Sequence, residues 1–269
     1  MFTVIGRQPS ADVIREIVQN KIVPNQNTNN VIHWGAHVRQ YDDNVFTLNN
    51  VKKYNGLEQL TVFNENDLEV PAFTTDLEMA KRWLREGWSN VVWGRKLEHT
   101  RGNDIVGAGY KRLRNGQERF NPIWLNRDFW VDVINPELVK REWRVHIFQG
   151  RCIAKGCKVK TGNTTRRFDY IRSRNNGWTL DHTIELPDLI REASRKAVNV
   201  LGYNFGAVDI LELNADGITF TPETAYSVLE VNSAPALGSQ YTIDAYTKAL
   251  QKIENGKYRK IYEGKNNEQ

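Results

Sequence analysis

Cysteine is nearly absent. Cys152 and Cys157 are the only two among 269 residues, and their i, i+5 spacing fits neither a CxxC redox pair nor a zinc knuckle. They read as buried or idle thiols. No apolar run approaches the roughly 20 residues that a membrane helix needs. The opening segment MFTVIGRQPSADVIREIV also lacks a basic stretch, a continuous apolar core and a small-residue cleavage site. No membrane span or secretory signal is therefore expected, and the expected location is the cytoplasm. Three catalytic signatures are missing as well: a GxSxG elbow, an HExxH zinc helix and a Walker A loop. There is no internal repeat, low-complexity tract or heptad array. His33 and His37 stand four apart, but no helical apolar pattern or third ligand surrounds them, so the sequence does not make them a zinc pair. His146 is expected to line a cleft or to pack.

What is present is globular composition: 40% hydrophobic and 26% charged residues, enough chain for one large domain or two to three small subdomains. Net charge is +5 and the pI is near 9.1, with basic excess over residues 155–174. That balance suits an anionic ligand, either a nucleotide or a nucleic acid. Helices announce themselves by their caps. TDLE at 75–78 is a capping box with Thr75 as cap, which predicts a helix over 75–87; others open at Ser10, at Pro187 and Asp188, and at Thr242, ending near 21, at Gly202 and at Gly256. Strands are expected at 90–93, 129–134, 143–148, 152–159, 206–213 and 226–231, which are rich in Val, Ile and aromatics. The expected fold class is α+β. Residues 25–30 read as a loop, 49–56 as a joining segment and 263–269 as a disordered tail.

Two strands carry polar residues where apolar ones are the rule. Alternation in GAVDI (206–210) puts Asp209 on the face opposite Val208 and Ile210. In LEVNSAP (229–235) it puts Glu230 and Asn232 together, opposite Leu229 and Val231. These residues either face solvent, as exposed strand residues do, or converge between paired strands as hard oxygen ligands of the kind magnesium takes.

The two motifs together resemble the closing segment of the ATP-grasp superfamily, a strand ending in Asp followed by a strand reading Glu-x-Asn and then Pro. Other segments resemble further elements of that family in its order. NVVWGR (90–95) with LEHTRG (97–102) is similar to the phosphate-binding strand and loop, with Arg95 where Lys is commoner and with Gly102 as the loop's single glycine. FWVDVI (129–134) is similar to the adenine hinge, and REWRVHIF (141–148) with CIAKGCK (152–158) to the acid-x-Arg strand and its basic return strand. YIRSRNNGW (170–178) resembles the basic loop of RimK-like ligases, and the compact form looks closest to small ATP-grasp proteins encoded by bacteriophages. The first fifty residues match poorly, although NVIHWG (30–35) resembles the remnant of a strand in a short pre-ATP-grasp lobe.

The resemblance implies an ATP-grasp fold of two α+β subdomains clasping ATP: an N-terminal lobe over 1–55, a small subdomain over 56–134 and a large one over 135–262. It implies that Asp209, Glu230 and Asn232 hold magnesium, two ions by family habit, with manganese able to substitute. Arg95, Asp132, Val133, Glu142, Lys158 and Arg172 would then meet the nucleotide, while Arg144 and Arg172 act in catalysis. The implied reaction phosphorylates a small-molecule or peptide carboxylate and joins it to an amine, releasing ADP and phosphate. A nucleic-acid-binding protein, favoured by the charge and by eight tryptophans, is the rival reading from another class; carboxylates on the inner face of paired strands weigh against it, because they repel phosphates unless a metal intervenes. An ATP-grasp enzyme acting on a modified nucleobase or protein is the rival within the family.

Overall fold

A computed structural model describes residues 2–24, 29–88, 91–96, 106–112, 118–120, 129–133, 138–161, 172, 174, 177–214 and 226–256. Three sheets organise them. The first is parallel and of order β1-β2-β3, from Phe2–Ile5, Asn30–His33 and Phe46–Leu48. The segment read as a strand remnant at 30–35 contains its central strand, Asn30–His33. The second, of order β4-β8-β5-β6-β7, is formed by Ala72–Thr74 (β4), Val91–Lys96 (β5), Val106–Arg112 (β6), Glu118–Phe120 (β7) and Phe129–Val133 (β8). The third, of order β11-β10-β9-β12-β13, is built from Val139–Phe148 (β9), Arg151–Lys160 (β10), Trp178–Asp181 (β11), Phe205–Leu213 (β12) and Tyr226–Asn232 (β13). The glycine-bearing loop at 97–102, most of the basic loop at 170–178 and the tail lie outside the described residues.

Five helices accompany the sheets among the described residues: α1 (Pro9–Asn20), α2 (Gly56–Glu65), α3 (Leu77–Arg85), α4 (Asp188–Val200) and α5 (Gln240–Glu254). Three differ from the sequence reading, the first being α5, which opens at Gln240 with Ser239 as its cap rather than at Thr242. At α3 the cap is Asp76, not Thr75: its carboxylate accepts from the Glu78 and Met79 amides, while Thr74 Oγ1 accepts from the Asp76 amide. The capping box occurs instead at α2, where Asn55 accepts from Glu58 N–H and Glu58 returns the bond to Asn55 N–H. The stretch 49–56, read as a linker, thus runs into a helix.

The third sheet has two covered faces. Trp143, Val145, Ile147, Val208, Ile210, Val228 and Val231 pack with Leu60 and Phe63 of α2 and with Ile190, Ala193, Ala197 and Val198 of α4. On the other face, Phe148 and Phe205 join Tyr246, Ala249, Leu250 and Ile253 of α5, Ile14 and Ile17 of α1, and Ile32 of β2. Each fully buried aliphatic or aromatic side chain contributes about 1.5–3 kcal/mol relative to exposure, so these two cores hold the sheet rigid. Asn49 pins the first sheet to the third. Its side chain accepts from the Asn204 and Phe205 amides and donates to Phe205 O. Gly206 is required by close packing: a Cβ there would stand 2.6 Å from Val231 Cγ1.

Candidate active site

The site lies on the face of the third sheet that bears Phe148 and Phe205. Register alone brings its parts together. Arg144 of β9 pairs with Asp209 of β12, and Asp209 pairs with Glu230 of β13. The three form a row across adjacent strands. The next row is His146, Ala207 and Asn232. A bulge between Asp209 and Ile210 in the β12–β13 pairing leaves Leu229 as the extra residue and resets the alternation, so that Val228 faces the core while Glu230 faces the site.

Arg144 grips Asp209 with two hydrogen bonds, from Nε to Oδ1 at 2.8 Å and from Nη2 to Oδ2 at 2.6 Å. Such a planar two-point pair is stronger than neutral hydrogen bonds and fixes orientation. Burial works to raise the Asp209 pKa, but the Arg144 and Lys158 cations and the hydrogen bonds from Arg144 outweigh it and hold the carboxyl at about 2. Asp209 is thereby anionic. The same carboxylate raises the Arg144 pKa above its ordinary value. Asn232 Nδ2 donates to Glu230 Oε1 at 3.0 Å, keeping carboxamide and carboxylate side by side.

A second ion pair flanks the first. Lys158 of β10 donates to Glu142 of β9, both largely buried. Burial raises the Glu142 pKa, and the Asp209 charge adds to it, against the opposing pull of Lys158 and Arg172. Arg172 stands close enough to be felt there; its guanidinium donates to Val139 O at 3.3 Å and lies 4.9 Å from the Trp178 ring. His146 packs rather than lines an open cleft. It is 1% exposed, its Nδ1 lies 3.3 Å from Tyr246 Oη, and burial first, then Arg144, lowers its pKa to about 3. It is a neutral imidazole behind the row.

The third sheet therefore gathers Glu142, Arg144, Lys158, Arg172, Asp209, Glu230 and Asn232. Arg95, Asp132 and Val133 belong to the second sheet, where β5 pairs with β8: Arg95 is opposite Trp130, Asp132 opposite Trp93 and Val133 opposite Val92. His33 and His37 also meet, with His33 Nδ1 3.2 Å from His37 Nε2, and Tyr41 Oη lies 2.9 Å from His33 Nε2. Among the described residues no group of three His, Cys, Asp or Glu converges as a metal cluster, there or elsewhere. Two carboxylates and a carboxamide do meet on β12 and β13. They offer hard oxygens of magnesium's preferred kind, fewer than an octahedron needs, so phosphate oxygens and water would have to complete it. The donor set fits a nucleotide-bound cation better than a protein-caged one.

Sequence reasoning missed His182, Gly156 and Tyr241, which stand at the edge of the same face. A Cβ on Gly156, the residue opposite Arg144 on β10, would meet the His182 ring at 3.2 Å. The signal was a glycine in a strand interior, which marks a close approach.

Three solved structures share this architecture. The macrocyclase MdnC from Microcystis aeruginosa MRC, bound with precursor peptide MdnA, matches with a TM-score of 0.54 at 12% identity, covering 95% of this chain and 98% of that one. The ATP-grasp ligase PsnB, complexed with minimal precursor, Mg and ADP, gives 0.51 at 14% identity over 80% of this chain and 62% of its own. D-alanine–D-alanine ligase from Bacillus anthracis gives 0.50 at 14% identity over 78% of this chain and 69% of its own. The chain thus spans less than two thirds of PsnB's length. No protein-family model matches the chain, and no curated protein matches it in sequence. The fold is α+β, and it is the ATP-grasp fold. Among the described residues no helix is long and apolar enough to cross a membrane.

Proposed function

We propose that this protein is an ATP-dependent carboxylate–amine ligase, which phosphorylates a carboxylate and joins it to an amine with release of ADP and phosphate. One observation carries the reading: the Arg144–Asp209–Glu230 row, with Asn232 beside it, on one face of three adjacent strands. Phosphoryl transfer asks the protein for position and charge rather than for a nucleophile, and this face supplies anions for a metal next to cations for phosphate.

Asp209, Glu230 and Asn232 are the residues that would hold magnesium, two ions in the fullest version, with manganese as a substitute. Bound there with ATP, the metal would neutralise phosphate oxygens. Arg144, tied to Asp209 through two of its nitrogens, retains donors for the oxyanion of the carboxylate under attack. Lys158 and Arg172 lie on the Glu142 side and meet phosphate, and Glu142 orients Lys158 while contacting the nucleotide. Arg95 and the Asp132–Val133 backbone contribute from the second sheet, as phosphate contact and adenine hinge. The lobe at 1–55 and the subdomains at 56–134 and 135–262 form the expected division of labour.

The finer affinity is with RimK-like ligases of the compact, phage-encoded form. MdnC and PsnB are bound with precursor peptides in their structures, which supports a peptide as one partner here. The deciding experiment supplies ATP, magnesium and panels of amino acids, peptides and amines, then identifies nucleotide and amide by mass. ADP with phosphate and a new amide is the expected outcome; AMP with pyrophosphate overturns the acyl-phosphate route.

A further inference from the structure

We propose that His182 is the base that takes the proton from the incoming amine, an inference resting on the ligase reading above. His182 follows β11 and folds back over β10. Its Nδ1 lies 2.6 Å from Lys155 O. A carbonyl only accepts, so Nδ1 carries the proton and Nε2 keeps a lone pair in the neutral ring. An ideal Cβ on Gly156 would stand 3.0 Å from Leu180 Cβ and 3.2 Å from both Cε1 and Nδ1 of His182, so the ring and Leu180 together close over the glycine. Gly156 is paired with Arg144, and paired residues of an antiparallel ladder share a face. His182 therefore stands one strand from the Arg144 guanidinium, on the face that carries Asp209 and Glu230.

The surroundings suit an acceptor rather than a nucleotide. Tyr241, at the start of α5, tilts against the imidazole with ring centroids 4.5 Å apart and is 41% exposed, so this side of the site is reached from solvent. The glycine is the informative element. Glycine weakens a strand interior, and here its cost is offset by seating an imidazole with a fixed tautomer beside the catalytic row. An amine reaches the protein mostly as an ammonium, which has no lone pair. Transfer of one proton to His182 Nε2 frees the nitrogen to attack the acyl carbon; the C–N bond forms, the C–O bond to phosphate breaks, phosphate leaves with that electron pair and takes the second proton of the attacking nitrogen, and His182 returns its own proton to water.

The test compares two acceptors with wild type and His182→Gln, using ATP, magnesium and the carboxylate panel. Hydroxylamine is unprotonated at neutral pH and needs no base; a primary alkylamine does. The variant is expected to form hydroxamate within about twofold of wild type, while amide formation falls by about 10²–10⁴-fold, the usual worth of a positioned base. Gly156→Ala, which presses on the ring and on Leu180 without removing the imidazole, is expected to show the same split more weakly. Equal loss with both acceptors, or no loss with either, overturns the role of His182. If wild type gives neither hydroxamate nor amide, the ligase reading falls and this inference with it.

Discussion

Arg144 and Asp209 face each other from neighbouring strands and are joined at two points, with Asp209 7% and Arg144 25% exposed at the side chain. The pair sets both the charge state of the site and part of its stability. Asp209→Asn is expected to abolish ATP-dependent turnover, since it removes the anion proposed to face the metal and half of the grip on Arg144. Arg144→Lys keeps the charge but not the fork, and ADP release is expected to fall by about 10²–10³-fold, as when one oxyanion donor is lost. Arg144→Ala strands a buried carboxylate, and denaturant unfolding is expected to show a loss of about 3 kcal/mol, moderated by the partial exposure of Arg144.

The depressed Asp209 pKa makes stability depend on acid. The carboxyl titrates at about 2 when folded, against an ordinary aspartate value of 3.8. Its contribution is fully present above the unfolded value and is lost as pH falls from there through about 2. The loss is on the order of 2 kcal/mol. Unfolding midpoints measured across that window are expected to fall less steeply for Asp209→Asn than for wild type. Parallel curves would remove the linkage.

Glu230→Gln and Asn232→Ala test the oxygen set while leaving the Arg144–Asp209 pair in place. Each is expected to raise the magnesium concentration for half-maximal ADP release by at least the roughly 10–100-fold seen when a ligand's support is removed. Unfolding at neutral pH reports whether the fold survives each change.

Gly206→Ala strikes the same site from behind. Its Cβ would lie 2.6 Å from Val231 Cγ1 and 3.3 Å from Asn232 O, so β13 must shift. A stability loss of about 1–3 kcal/mol and a raised magnesium requirement are expected together.

Asn49→Ala removes three hydrogen bonds between the end of β3 and the start of β12. Asn49 is fully buried and has φ of 56°, a backbone conformation that asparagine tolerates better than alanine. A stability loss of about 2–4 kcal/mol is expected in denaturant unfolding, with the magnesium dependence of any remaining activity unchanged.

The legible parts of this protein were those written locally. A carboxylate interrupting Val208 and Ile210, or Glu230 two residues from Asn232, is visible because strand alternation is local, and the ends of α4 and α5 were marked by Pro187, Gly202 and Gly256. Overlapping signals were harder. TDLE offers two caps one residue apart, and Asp76 prevails over Thr75 because its carboxylate reaches two amides. Asn55-Gly56 reads as a turn until Glu58 closes the box. Pairing was not legible. That Asp209 meets Arg144 on one side and Glu230 on the other depends on register between segments more than sixty residues apart in one case, and the approach of His182 to Gly156 depends on how β11 leaves the sheet.

The bulge at Leu229 gives β13 one expandable joint and one fixed stretch. Without Leu229, Val228 would still oppose Ile210 and Glu230 would still oppose Asp209, and the ladder would become regular. Loss of Val231 instead would turn Asn232 toward α2 and α4 and bring a serine into the row. Insertions and deletions are thus unequal along seven residues. A designer wishing to lengthen, shorten or graft this strand has a single seam at which to cut.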